Sequence, residues 1–171
     1  MDADTLRAAQ APLKQQYRDE PGTAVITLTA EGDVDEAGIA CKVETGRALV
    51  TAGLHPATGG SGLEACSGDM LLEALVACAG VTLKAVATAI GVELQSAHLR
   101  AEGDLDFRGT LGVDREAPVG FSDIRLTFAV VSDAPKEQLD QLLKLTERYC
   151  VVLQTLRSGP PVSAALDVTP A

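Results

Sequence analysis

Residues Asp69–Gly91 (DMLLEALVACAGVTLKAVATAIG) form a helical stretch that is apolar round most of its circumference, and this limits the folds open to the chain. Such a helix must be covered on nearly all sides, so the remaining elements have to wrap it. A second long stretch, Lys136–Arg157 (KEQLDQLLKLTERYCVVLQTLR), carries an apolar stripe through Leu139, Leu142, Leu143 and Leu145. Each stretch holds one cysteine, Cys78 in the middle of the first and Cys150 near the end of the second. The two are remote in the chain, so only the fold could bring them together. If it does, they form a dithiol able to cycle between reduced and disulfide states, and redox chemistry becomes the leading expectation.

A chain of 171 residues supports one domain with a core and is short for two. We divide it into an N-terminal arm, 1–22, and a single domain, 23–171. With no Trp, two Tyr and three Phe, the core has to be built from Ala, Leu and Val, which favours close helix packing. The net charge of −10 argues against nucleic acid as a partner, because phosphate binding needs clustered Lys and Arg. The opening MDADTLRAAQAPLKQQYRDEPG lacks a positive region followed by an apolar core, so it does not read as a secretory signal. Met70–Ile90 is the one candidate membrane span, but it carries Glu73 and Lys84. Its uninterrupted apolar run, Ala74–Leu83, is about half the length a span requires. A buried core helix and a cytoplasmic protein with no membrane partner are expected. There, thiols are kept reduced, so the four cysteines are catalytic or inert before they are structural disulfides.

The rest of the chain reads as antiparallel sheet. After a short helix or arm around Leu6–Leu13, Ala24–Ala30 alternates and is rich in β-branched residues. Ile39–Glu44 and Ala48–Ala52 are further strands of a meander, with Thr45–Arg47 as a tight turn. Leu54–Gly68 is loop chemistry, and Asp69 is placed to cap the central helix, with Gly91 closing it. Val92–Arg108 and Gly120–Ser132 each contain a strand. Asp133–Pro135 opens the second helix with a cap and a proline, and Val162–Val168 suits a closing strand. The fold class is α+β, an antiparallel sheet packed on a long central buried helix.

These motifs carry a family likeness. Gly59-Gly60-Ser61-Gly62, then Ser67-Gly68-Asp69-Met70-Leu71-Leu72, then Leu75-Val76-Ala77-Cys78, with Cys150 on a later helix, resembles the OsmC/Ohr family. The resemblance implies an OsmC-like intertwined homodimer with its sites at the subunit interface. It further implies a stress-response, thiol-dependent peroxidase acting on organic hydroperoxides. Cys78 matches the reactive cysteine, Cys150 the resolving one, and Asp69 an acidic residue that is Glu in many relatives and orients an arginine. No resident cofactor is implied, only an external thiol or dithiol reductant. Two features depart from the pattern. Val151 follows Cys150 where the family often has proline, and the loop Glu31–Gly38 lacks the expected arginine. Arg18 and Arg47 are the alternatives for that arginine, and the sequence does not choose between them.

Other readings stay open beside this one. Cys78 in an Ala-rich helix is also what a small buried hydrophobe looks like. The rival is then a non-catalytic, stress-related OsmC-like dimer binding a small apolar ligand, and a third reading is a dithiol acting on protein disulfides. Cys41 is best taken as core filler, whereas Cys66, in the loop before the helix, is a spare thiol that could compete as a disulfide partner. His55 and His98 lack the spacing of a zinc site, and His98 is expected on a strand surface.

Overall fold

A computed structural model describes residues 3–34, 41–43, 52–63, 65–166 and 168. In chain order the elements are helix α1 (Ala3–Asp19), strands β1 (Val25–Val34), β2 (Cys41–Val43), β3 (Ala52–Gly53) and β4 (Ala65–Cys66), and helix α2 (Ser67–Ile90). Then come β5 (Ser96–Asp106), the single turn α3 (Phe107–Thr110), β6 (Phe121–Val131), α4 (Lys136–Tyr149) and α5 (Val151–Arg157). The main sheet runs β2–β1–β5–β6 and is antiparallel throughout.

β5 sits between its two long partners, with Val25 opposite Asp106 on one side and Ser96 opposite Val131 on the other. Side chains alternate between the faces of a strand. Ala97, Leu99 and Ala101 accordingly turn into the core, while Ser96, His98 and Arg100 turn out. Gly103 continues the inward row because the Phe121 ring lies over it; a Cβ there would come within 2.5 Å of that ring.

α2 packs across this sheet through Leu72, Leu75, Val76, Ala79, Leu83, Val86 and Ala87, all in one core with Leu99 and Leu142. The spacings of three and four place these residues on one face. Among the described residues α2 is the one helix long and apolar enough to cross a bilayer, but its inner face is committed to this core. Gly91 ends it in the left-handed region at φ +71°, and the Val92 N–H reaches back to the Ala87 carbonyl at 2.9 Å. α1 docks elsewhere, its Tyr17 hydroxyl donating to the Ala57 carbonyl at 2.8 Å beside Phe107.

Several expectations change. The N-terminal helix runs for 17 residues, longer than the short helix or arm expected around Leu6–Leu13. β1 continues through Val34, into residues read as loop, because its register with β5 extends to Asp33 and beyond to β2. The meander does not continue into Ala52: β3 pairs in parallel with β4, in a separate small sheet. Asp69 is not the cap of α2. The helix begins three residues earlier than that cap implies, with Cys66 as the cap and Asp69 in its first turn. Asp133 does not cap α4 either, since Pro135 holds that position and the Asp133 carboxylate accepts from Gln95 Nε2 at 2.7 Å. Lys136–Arg157 is two helices, not one, broken at Cys150. The expected closing strand at Val162–Val168 has no strand partner within the described chain; Val162 and Leu166 are almost wholly exposed. The turn at Thr45–Arg47, the strand residues 48–51 and loop residues 35–38 lie outside the described residues.

Candidate active site

The break between α4 and α5 builds the site. Thr146, Cys150 and Leu142 follow one another at intervals of four on the buried side of α4. At Cys150 the backbone turns extended, with φ −69° and ψ 106°. Its N–H still closes the last turn of α4 on the Thr146 carbonyl at 2.9 Å, and its own carbonyl accepts the Gln154 N–H at 2.9 Å to start α5. The β-branched pair Val151–Val152 directly after the cysteine favours such a departure, because both lose side-chain freedom in a helix. A helix that starts afresh leaves its first backbone N–H groups without carbonyl partners. Here those groups meet sulfur. The Val151 and Val152 N–H groups donate to Cys78, and the Leu153 and Val152 N–H groups to Cys150.

The fold thus brings Cys78 and Cys150 into hydrogen-bonding contact, both as free thiols. Their environments differ. Cys150 is fully buried, and burial pushes its thiol up to about 11, with the neighbouring Cys78 adding to the rise. Burial also pushes Cys78 up. The Val152 N–H, the Cys150 thiol, the Val151 N–H and the Thr82 hydroxyl outweigh it, and Cys78 ends below the ordinary thiol value. Hydrogen bonds to the anion favour ionisation. Cys78 therefore gives up its proton first, while Cys150 keeps its own and can donate it to the Cys78 sulfur.

Asp69 does not join them. Nine residues at about 100° each put it on the opposite side of α2 from Cys78, and about 13 Å along the axis. Burial raises its carboxyl, the His55 charge pulls the other way, and its own charge helps raise Glu73 one turn on. Cys66 is also remote from the pair. Twelve residues along one helix is about 18 Å, far beyond the Cα separation a disulfide spans. It is a free thiol instead, lining a cavity of about 380 Å³ with His55, Leu71 and Phe107. His55 caps the short turn Pro56–Thr58 through Nδ1, which accepts the Ala57 N–H at 3.0 Å, and its ring stacks on Phe107. His98 is exposed on β5, as expected. Arg18 is exposed in the last turn of α1, Arg47 lies outside the described residues, and among the described residues no arginine acts on Cys78. Cys41 falls in β2. Among the described residues no three His, Cys, Asp or Glu side chains gather to hold a metal ion.

A cavity of about 350 Å³ opens between β6 and the α4–α5 elbow, over Leu75, Ile124, Leu126, Phe128, Leu153 and Leu156. Leu75 is one turn before Cys78, and Leu153 is one of the two residues whose N–H reaches Cys150. An ion pair between Arg157 and Glu147, at 3.1 Å, lies at its edge. No side-chain pattern in the sequence marks the backbone donors of α5. Thr82, four residues after Cys78 on the same helical face, was open to recognition from spacing alone.

A sheet folded over one central helix, with a thiol pair held between that helix and a broken neighbour, defines a class of two-cysteine α+β proteins. This chain belongs to the OsmC-like protein family, whose sequence profile matches residues 60–165. Its fold is similar to the crystal structure of an OsmC-like hydroperoxide resistance protein from Jannaschia sp. CCS1. The TM-score is 0.58 over 86% of this chain and 97% of that one, at 17% sequence identity, so the likeness is one of fold. No curated protein matches the chain.

Proposed function

We propose that this protein is a thiol peroxidase that reduces organic hydroperoxides through Cys78 and Cys150. The observation that carries the reading is the contact between two thiols with opposite displacements, Cys78 lowered and Cys150 raised. In the first step the Cys78 thiolate attacks the terminal oxygen of ROOH. An S–O bond forms, the O–O bond breaks, and the departing RO⁻ takes a proton to leave as the alcohol. In the second, Cys150 sulfur attacks the Cys78 sulfenic acid, giving the disulfide and water. An external dithiol returns two electrons and two protons. That requirement fits a reducing, cytoplasmic setting.

The cavity over Leu75, one turn from Cys78, mixes aliphatic side chains such as Leu126 and Leu156 with Asp123, Glu147 and Arg157, and its aliphatic part can take the alkyl group of an organic hydroperoxide. Membership of the OsmC-like family, and a fold shared with a Jannaschia protein named for hydroperoxide resistance, support a hydroperoxide as the substrate. Asp69 takes an anchoring part, its charge favourable at the start of the helix that carries Cys78. The working unit on this reading is a homodimer, because α2 presents an uncovered apolar face around Cys78.

Steady-state reduction of cumene hydroperoxide with a dithiol reductant tests the reading. Cys78→Ser should abolish turnover, and Cys150→Ser should reduce one equivalent of peroxide and stall. Full activity in Cys78→Ser would sink it. Four sluggish thiols and no turnover in the native chain would favour a non-catalytic dimer binding a small apolar ligand.

A further inference from the structure

Thr82 stands one turn beyond Cys78 on the same face of α2, and it is the one hydroxyl among the groups that favour the Cys78 thiolate. Its hydroxyl donates to the Cys78 carbonyl at 2.7 Å and also lies within hydrogen-bonding reach of the Cys78 sulfur. A hydroxyl has one hydrogen and two acceptor directions. While that hydrogen rests on the carbonyl, the oxygen meets the sulfur with a lone pair. That arrangement suits a thiol and repels a thiolate. The carbonyl does not depend on the hydroxyl, because in an α-helix it also receives the N–H of residue 82. Turning the hydrogen from oxygen to sulfur therefore leaves no buried acceptor unpaired.

Resting on the peroxidase reading, we propose that Thr82 is a positioning residue. Its hydroxyl hydrogen turns from the Cys78 carbonyl to the Cys78 sulfur when the sulfur ionises, and holds the anion toward the open face of α2. The thiol proton goes to solvent, and the hydroxyl keeps its own hydrogen. Thr88 supplies an internal control. Its hydroxyl makes the same bond one turn back, to the Lys84 carbonyl at 2.8 Å, on an exposed residue with no cysteine one turn behind it.

The test is peptide-resolved alkylation of Cys78 in the full chain between about pH 5 and 9, where the thiolate alone reacts. Native protein is compared with Thr82→Val, Thr82→Ser and Thr88→Val, with denaturant unfolding run alongside. Thr82→Val should move the alkylation midpoint up by about one pH unit, the value of one hydrogen bond to a charged group. Thr82→Ser should restore the native midpoint, and Thr88→Val should leave it in place. A Thr82→Val midpoint equal to the native one would overturn the proposal. So would a Thr82→Ser shift as large as that of Val, since packing of the methyl group would then be the cause. A native Cys78 with an ordinary thiol midpoint would overturn this and the peroxidase reading together; a reactive native Cys78 unaffected by Thr82→Val would remove only the hydroxyl's part.

Discussion

Val151 follows Cys150 where OsmC relatives often carry proline, and the difference changes what surrounds the reactive sulfur. Proline has no N–H to give, whereas the Val151 N–H donates to Cys78. The backbone would accept proline here, because residue 151 opens α5 and Cys150 before it is already extended at ψ 106°. Val151→Pro should therefore keep the fold and raise the Cys78 pKa by about one unit. Peroxide reactivity needs the thiolate, so it falls as pH drops through the Cys78 pKa. In the proline variant that fall should begin at higher pH, as ultraviolet thiolate absorbance against pH would record; an unchanged titration would deny the Val151 N–H its part. Thr146, one turn before Cys150, offers a stability test. Its hydroxyl is buried and has no hydrogen-bond partner among the described residues. An unsatisfied buried hydroxyl costs roughly 1–3 kcal/mol, so the isosteric Thr146→Val should stabilise the protein by about 1 kcal/mol in denaturant unfolding. A loss of stability would mean that the hydroxyl is satisfied after all. The two cysteines themselves were readable from the sequence, because each interrupts a long apolar helical stretch. Their donors were not, since a backbone N–H becomes available only where a helix restarts, and no side-chain pattern records that.

At the level of elements, the strands and the central helix were legible because their periodicities are strong and Gly91 punctuates the end of α2. The misreadings fall where local chemistry is weak. Tyr149–Cys150–Val151–Val152 contains no glycine or proline, so its break is a sum of small preferences settled by the packing of α4 and α5 on α2. Asp69 has the look of a cap because it precedes the apolar run, but the helix gains three further residues by starting where β4 ends. The sheet, by contrast, carries a fastening that alternation does not reveal. The Asp104 carboxylate on β5 accepts from Arg125 on β6 at 2.7 and 3.0 Å and from the Thr27 hydroxyl on β1 at 2.6 Å, so one side chain ties three strands. The Arg125 hydrogen bonds, then that of Thr27, hold Asp104 at about 2, below its ordinary 3.8. A carboxyl depressed in the folded state contributes stability that is complete above the unfolded value and lost as pH falls through the folded one. The contribution of Asp104 should therefore drain away between 3.8 and about 2. Asp104→Asn should flatten the acid limb of a stability-against-pH curve in that window. Screening at this exposed site keeps the effect modest, and salt should reduce it further. An acid limb as steep as that of the native protein would show that other carboxylates govern it.

For the whole molecule, the decisive fact is that α2 has two apolar faces and the described residues of one chain cover only one of them. Leu72, Leu75, Val76, Ala79 and Leu83 are buried against the sheet and α4, while Leu71, Ala74 and Val81 are exposed and flank Cys78 on the other side. At about 100° per residue, Leu71, Ala74, Val81 and Ala85 all fall within about 60° of Cys78. The sequence already required a helix covered nearly all round, and what it could not say was which cover comes from within the chain. A surface stripe of this kind on a central helix marks an association surface. A second copy is the partner we propose, since a two-fold axis matches one such stripe with another like it. The axis also repeats any charge placed near it, so Val81→Asp sets two carboxylates into one apolar seam, and neither can be desolvated without a partner. Sedimentation of that variant should give a monomer where the native chain gives a dimer. Cys78, relieved of its cover, should then alkylate faster even as peroxide turnover falls with the loss of the enclosed site. A dimer that survives Val81→Asp unchanged, or a native chain that stays monomeric at high concentration, would put the seam elsewhere and leave the stripe around Cys78 open to substrate from a single chain.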